Sequence, residues 1–200
     1  KNVSEEYQKS FDKNNLNIGS IEVDCFSVKR SLLREQKGNY LILDIGDKVT
    51  NIIGVYNGQL LFNRNIDLAG GKLTELIAKS LDVNKSRADK VKIKQGFKSD
   101  SKVVKENVLK ISIDSIIDYA KKNLEEFEEF KNVKMDKIIL SGGTSGMIGL
   151  KEYIEDKMKI EVVYGNPWAG IDCPKEIEDK LLSLAPFFGV AVGLALIDLE

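Results

Sequence analysis

The chain has 200 residues, 42% hydrophobic and 30% charged, a composition typical of a soluble globular protein and without the ~18-residue apolar run of a membrane span. Its 30 basic and 31 acidic residues give a net charge of −1, which argues against nucleic acid as the main partner, because such binders usually carry a basic excess. The chain has no histidine and only two cysteines, which excludes a Ser-His triad, a histidine metal site and a disulfide framework.

The first 40 residues contain few strong signals. Residues 1–16 are polar and predict a frayed or linking segment, and residues 18–24 predict a weak short strand. Residues 25–35 carry apolar side chains at helical spacing and predict a helix. Gly38-Asn39 then marks a turn.

Three strands and two helices are predicted next. Asn57-Gly58 favours a hairpin between the second and third strands. The strands are predicted at Tyr40–Asp44, Ile52–Tyr56 and Gln59–Ile66. The glycine pair Gly70-Gly71 breaks the chain, a helix starts at Leu73, and another covers about residues 85–94. Residues 99–105 are polar and predict a loop.

The second half of the chain alternates between helices and strands. The stretch from about 106 to 130 predicts a long amphipathic helix. It is followed by a strand at 137–140, a helix at 148–158, a strand at 160–163, a loop at 166–170 and a helix at about 176–195. The order β-β-β-α…α-β-α-β-α predicts an α/β protein with the mixed sheet of the ribonuclease-H-like fold.

Two glycine turns, each directly after an apolar strand, are the main functional signal. The first lies in LILDIGDKVTN (41–51) and the second in KIILSGGTSGMIGL (137–150). Glycine lets the backbone turn sharply and approach a ligand closely, because it has no Cβ. We therefore interpret the two turns as two walls of a nucleotide site.

These segments resemble a known family. The run from LILDIGDKVTN to LTELIAKSL resembles the start of the second domain of the type IV pilus assembly protein PilM. The segments KIILSGGTSGMIGL, VVYGNPWAGI and APFFGVAVGLAL match the rest in order. PilM is similar to the division protein FtsA and, more distantly, to the Hsp70 chaperones.

The resemblance, which covers about residues 18–197, implies a fold and a domain plan. The fold is that of an actin-like ATPase, with a mixed five-stranded sheet (β-β-β-α-β-α-β-α) and a helical insertion. Residues 1–39 correspond to the end of a first actin-like domain and the linking helix. Residues 40–200 correspond to the second domain, with the insertion at about 72–135, so the chain resembles roughly the C-terminal half of such a protein.

The resemblance also implies a site for ATP or ADP with Mg²⁺. In this interpretation Asp44 is the catalytic carboxylate, which holds Mg²⁺ indirectly through water or positions the attacking water. Alternatively, Asp44 caps a strand-to-turn transition. The implied nucleotide-binding residues are Gly46, Thr50, Gly70, Gly71, Asp89, Lys92, Gly142, Gly143 and Thr144. Asp47 departs from the family pattern, where this position is small, and its carboxylate would repel a triphosphate.

Each group of these residues has a chemical role and a structural alternative. The Gly46 backbone and Thr50 hydroxyl would donate to phosphate, and the turn at 142–144 would pack on the purine, with Ser145-Gly146 opening a helix. Asp89 and Lys92, three residues apart, would face the ribose and purine. The structural alternatives are a strand-to-helix turn at 142–144, a β-to-α turn at Gly70-Gly71, and a solvated ion pair between Asp89 and Lys92.

The implied function is a scaffold of the pilus machine. It would lie in the cytoplasm, peripheral to the membrane through its partners, and bind the cytoplasmic tail of PilN and other inner-membrane platform proteins. In the family the first domain holds the tail groove and the first phosphate loop. We therefore expect this chain to bind the tail poorly and to show weak or absent ATPase activity. The alternatives are a working actin-like ATPase and an FtsA-like tether for division filaments.

Overall fold

A computed structural model describes residues 3–97 and 106–197. Its helices α1 to α7 are Val3–Asp12, Asp24–Leu33, Gly70–Leu81, Lys85–Gln95, Glu106–Lys131, Leu150–Met158 and Lys175–Ala195. Its strands β1 to β5 are Asn39–Ile45, Thr50–Tyr56, Gln59–Ile66, Lys137–Ser141 and Val162–Tyr164. A 3₁₀ turn, Gly143–Gly146, lies between β4 and α6.

The five strands form one mixed sheet in the order β3-β2-β1-β4-β5. The pairs β1/β2 and β2/β3 are antiparallel, whereas β1/β4 and β4/β5 are parallel. Asn57 and Gly58 have φ angles of 47° and 79°, as a type I′ hairpin turn requires. The predicted mixed five-stranded sheet is therefore confirmed.

The sheet separates two apolar cores, because successive side chains of a strand point to opposite faces. Leu41 and Leu43 of β1 pack in the larger core with buried residues of α3, α5 and α6. Ile42 packs on the other face against α2 in the smaller core. Because both faces of β1 are covered, its sequence is a continuous apolar run and does not alternate between apolar and polar residues.

Helix α7 crosses α2 at a close approach. A Cβ at Gly193 would collide with the backbone of Ser27, so glycine is needed there. Arg30 of α2 donates to the carbonyl oxygen of Gly193 at 3.0 Å and pairs with Glu22 at 2.7 Å. Nearer the start of α7, Trp168 of the loop after β5 donates to the carbonyl oxygen of Leu181 at 2.7 Å. These contacts hold α7 beside the sheet.

Three local predictions are wrong. Residues 1–16 contain helix α1, in which Gln8 donates to Asp12 at 2.8 Å. Its apolar residues Val3, Tyr7 and Phe11 recur at helical spacing, although none of them is buried. Residues 18–23 form no strand and are not part of the described sheet. Ser145-Gly146 belongs to the 3₁₀ turn, and α6 starts only at Leu150.

The remaining predicted helices and strands are present, with ends shifted by a few residues. The predicted loop at 99–105 lies outside the described residues. Most of α3 and the whole of α4 and α5 fall within the predicted insertion, and the domain boundaries themselves remain predictions. Within the described parts of the chain, none of the helices combines the length and apolar character needed to cross a membrane.

Candidate functional site

The carboxyl ends of β1 and β4 lie side by side at one edge of the sheet. Asp44 pairs with Ser141 near the end of these two parallel strands. The glycine turns that follow them therefore leave the sheet next to each other. Ligands of α/β sheets bind just outside the carboxyl ends of parallel strands. This edge is consequently the first place to look for a site.

A cleft of about 440 Å³ lies at this edge, which is within the usual size range of small-molecule sites. Its walls come from the β1–β2 turn, α4, the 3₁₀ turn and α7. Five of the predicted site residues line it: Gly46, Asp89, Lys92, Gly143 and Thr144. The fold thus brings together residues that are almost 100 positions apart in the sequence.

Gly70 and Gly71 lie behind the cleft and attach the start of α3 to the β1–β2 turn. The amide of Gly70 donates to the carbonyl oxygen of Gly46 at 2.9 Å, and that of Gly71 donates to the carbonyl oxygen of Asp47 at 2.8 Å. A Cβ at Gly70 would collide with the hydroxyl of Thr144. Glycine here permits close packing of three segments.

Lys92 is buried and makes three contacts inside the protein. Its ammonium group donates to the carbonyl oxygen of Gly70 at 3.1 Å and to the Thr74 hydroxyl at 2.9 Å. It also pairs with Asp89 at 2.9 Å. These contacts account for its three donor hydrogens. Asp89 remains about half exposed on the cleft side of this pair.

Asp44 lies beside a second carboxylate that the sequence analysis missed. The amide of Asn51 donates to Asp44 at 3.4 Å and to Asp24, the first residue of α2, at 3.1 Å. Burial is the main cause that raises the pKa of Asp44, and the nearby Asp24 adds to it, whereas hydrogen bonds from Ser141 and Asn51 oppose it. Asp24 comes close to Asp44 only because α2 packs on the sheet.

Thr50 and Gly142 do not line the cleft. The Thr50 side chain is fully buried, and its hydroxyl donates to the carbonyl oxygen of Leu68 at 2.7 Å. Gly142 has a φ of 83°, and a Cβ there would lie 2.5 Å from the carbonyl carbon of Ile45. Gly142 therefore forms a tight turn directly after β4, packed against the last residue of the neighbouring strand β1.

Helix α7 supplies one wall of the cleft, which the sequence analysis did not anticipate. Ser183, Pro186 and Phe187 line it, opposite Ile93 of α4. The Phe187 ring lies so close to Gly143 that a Cβ there would be 2.8 Å from it. The ring is nevertheless 66% exposed. Pro186 in the middle of a helix was the one available sequence signal.

The described residues contain no group of three or more His, Cys, Asp or Glu side chains suited to direct metal coordination. The Asp24 and Asp44 pair could therefore hold a cation only together with water or ligand oxygens. The cleft itself combines apolar surface from Ile93, Pro186 and Phe187 with the Asp89 carboxylate. Such a lining suits a flat, partly apolar ligand that carries hydroxyl groups.

Comparison with known proteins identifies the family. The sequence profile described as "Type IV pilus assembly protein PilM" matches residues 1–198. The chain belongs to the PilM family. A chain of the structure described as "PilM-PilN type IV pilus biogenesis complex" superposes with a TM-score of 0.78 at 26% identity. The match covers 92% of this chain and 54% of that one, so this chain spans about half the length of that PilM-family relative.

More distant structures confirm the actin-like fold. MreB5 of Spiroplasma citri bound to AMPPNP matches with a TM-score of 0.70 and 17% identity, over 99% of this chain and 65% of that one. The ethanolamine utilization protein EutJ from Carboxydothermus hydrogenoformans matches with a TM-score of 0.65 and 18% identity, over 93% and 57%. The cell division protein FtsA of Staphylococcus epidermidis is 25% identical over 148 residues, which cover 63% of this chain and 32% of FtsA.

Proposed function

We propose that this chain is a nucleotide-linked scaffold of type IV pilus assembly, in which the cleft contributes one part of the nucleotide site. The observation that carries the proposal is the convergence of five predicted site residues from three separate segments on one cleft. The family supplies the pilus context. The MreB5 relative, which binds the ATP analogue AMPPNP, supports the nucleotide.

The nucleoside part of a nucleotide fits the cleft. Its base would lie between the apolar side chains of Ile93 and Phe187 and against the glycine turn. The half-exposed Asp89 carboxylate would accept hydrogen bonds from the ribose hydroxyls. Lys92, which is paired with Asp89 and bonded to Gly70, would fix the carboxylate rather than contact the ligand.

The phosphate and Mg²⁺ part fits less well. Bound Mg²⁺ would neutralise phosphate charge, and we assign the orientation of its water ligands to Asp44, with Asp24 beside it, although neither residue lines the cleft. The groups proposed to contact the phosphates, the Gly46 amide and the Thr50 hydroxyl, both donate to carbonyl oxygens of the protein. We therefore propose that nucleotide is a structural ligand of this chain and derive no hydrolysis step.

A calorimetric titration with Mg-ATP and with adenosine, on the full product of the gene, tests this site. Phe187→Ala removes the exposed ring that faces the glycine turn and should weaken binding of both ligands by roughly tenfold, as loss of an aromatic stacking contact does. Ile177→Ala, on the same helix and exposed but away from the cleft, is the matched control. Equal affinities for the two variants would contradict the proposal.

The partner proposed for this scaffold is the cytoplasmic tail of PilN, together with other inner-membrane platform proteins. The support is membership of the PilM family and the likeness to a chain of a PilM-PilN complex. It would act in the cytoplasm and reach the membrane through these partners. Co-purification of the full product of the gene with a peptide of the PilN tail, and with the same peptide in scrambled order, tests this role. Equal recovery with both peptides would contradict it, whereas weak recovery by the present chain alone is expected.

The likeness to FtsA supports a second candidate, a role in cell division. The two candidates differ in the phenotype of a deletion. Loss of the gene from its host should abolish pili and leave cell length unchanged if the pilus role is correct. Long undivided cells with normal pili would favour the division role instead.

A further inference from the structure

Three hydrogen-bond donors near the turn end of the cleft already have acceptors within the protein. The Gly46 amide donates to the carbonyl oxygen of Val49 at 3.1 Å. The Thr50 hydroxyl donates to Leu68, and the Lys92 ammonium donates to Gly70, Thr74 and Asp89. A phosphate oxygen could accept from any of these three groups only if the group gave up its present contact.

The start of α3 offers no free donors to the cleft either. The amides of Gly70 and Gly71 donate to the turn, and the amide of Lys72 donates to Ala69 at 3.1 Å. The first turn of α3 contains no acidic residue of its own. An anion nearby would still be favoured by the positive end of the helix.

Asp47 supplies that anion from within the chain. Its carboxylate lies against Gly71, with Oδ1 2.9 Å from the position that a Cβ would occupy. The same side chain lines the cleft. Asp47 therefore places a negative charge at the start of α3, on the side where the phosphates of a nucleotide in the cleft would lie.

The other charged side chains that line the cleft do not pair with Asp47. Its other charged side chains, Asp89 and Lys92, form an ion pair with each other. Three lysines line a neighbouring depression of about 620 Å³, which Asp47 and Asp89 also border. Among them, Lys85 pairs with Glu75 at 2.7 Å and is also attracted by the charge of Asp47. These lysines are Lys48, Lys72 and Lys85.

We propose that Asp47 is a specificity-determining residue that makes the cleft select purine nucleosides and nucleoside monophosphates over triphosphates. This inference rests on the proposed nucleotide site. Ligand affinity comes from the apolar walls and from Asp89, whereas each added phosphate meets the Asp47 carboxylate. The ligand held by the cleft is then a weakly charged nucleoside or monophosphate with a structural role, and not a triphosphate.

The test compares calorimetric affinities for adenosine, AMP, ADP and ATP, each with EDTA and with Mg²⁺. In the unaltered protein we expect affinity in EDTA to fall from AMP to ATP. Asp47→Asn keeps the shape of the side chain and removes its charge, and it should tighten ATP binding in EDTA by roughly tenfold, as loss of one nearby like charge would. Adenosine affinity should change much less. The matched control is Asp67→Asn, an exposed aspartate outside the cleft.

The outcomes separate the two proposals. Two results would refute the specificity role and leave the nucleotide site standing. One is tighter binding of ATP than of adenosine by the unaltered protein in EDTA. The other is a ratio of ATP affinity to adenosine affinity that Asp47→Asn does not change. Absence of binding by every ligand refutes both. Thermal unfolding of Asp47→Asn, recorded first, ensures that the comparison is made between folded proteins.

Discussion

The ammonium group of Lys92 lies 3.1 Å from the carbonyl oxygen of Gly70, 22 residues earlier in the chain. This contact joins α4 to the first residue of α3. Gly70 in turn donates to Gly46 in the β1–β2 turn at 2.9 Å. Two hydrogen bonds therefore connect the helical part of the chain to the wall of the cleft.

Replacement of Lys92 should disturb this connection. Lys92→Met keeps most of the side-chain volume but leaves the Gly70 carbonyl and the Thr74 hydroxyl without the buried ammonium. We expect a loss of about 1–3 kcal/mol in the free energy of unfolding, measured by urea denaturation. Lys94→Met, on the exposed side of the same helix, should cost less than about 0.5 kcal/mol. Similar losses for both variants would show that the buried contacts contribute little.

Gly70 should tolerate no side chain. A Cβ there would collide with the Thr144 hydroxyl and lie 3.0 Å from the Gly46 carbonyl oxygen, so Gly70→Ala should destabilise the protein by about 1–3 kcal/mol. Gly19→Ala, where a Cβ meets nothing within 4 Å, is the control.

A double variant identifies the cause of this loss. Thr144→Ala removes the hydroxyl that the new methyl group would strike, so Gly70→Ala should cost less in that background. Strictly additive losses in denaturation experiments would mean that the collision with Thr144 is not what excludes alanine.

The buried carboxylate of Asp44 should oppose folding at neutral pH. Burial raises its pKa in the folded protein, so the folded state binds this proton more tightly than the unfolded state does. The contribution of this group to stability is therefore greatest below its unfolded pKa of about 3.9. It is lost as the pH rises through the pKa of the folded state. Asp44→Asn should unfold at a higher temperature than the unaltered protein at pH 7, and the difference should shrink towards pH 4. A difference that is constant with pH would assign the effect to shape and not to charge.

Glu22 should behave in the opposite way. The hydrogen bond from Arg30 is the main cause that holds the pKa of Glu22 below its ordinary value, and Ser27 adds to it. The ion pair thus contributes stability above the unfolded pKa of about 4.3, and this is lost as the pH falls through the folded value. Glu22→Gln should cost about 1–2 kcal/mol at pH 7 and progressively less in acid. The exposed Glu5→Gln is the control for urea denaturation at each pH, and an equal cost at every pH would argue against the ion pair.

The sheet was predictable from sequence because its signals are local. The run Leu41–Leu43 is apolar enough for a central strand, and Asn57-Gly58 adopts the positive φ angles of a hairpin turn. Helix α1 and the absence of a strand at 18–23 were not predictable in the same way. A polar segment can be helical without a buried face, and a short apolar segment becomes a strand only if a partner strand lies beside it.

The candidate site was predicted in part. Gly46, Asp89 and Gly143 line the cleft as expected, because each belongs to a turn or helix that is recognisable from its own residues. The sequence analysis missed two site residues, Asp24 of α2 and Phe187 of α7. Their places depend on how those helices cross, which is decided by contacts such as Gly193 against Ser27.

The sequence by itself determined the order of strands and helices, the two glycine turns and the likeness to PilM, since these depend on residues close together in the chain. Only the tertiary structure decided which polar groups remain available to a ligand. Hydrogen bonds from Thr50 to Leu68 and from Lys92 to Gly70 join residues 18 and 22 positions apart. Such pairings form only when the segments pack. They make Thr50, predicted to contact phosphate, and Lys92, predicted to face the ribose and purine, internal supports of the cleft.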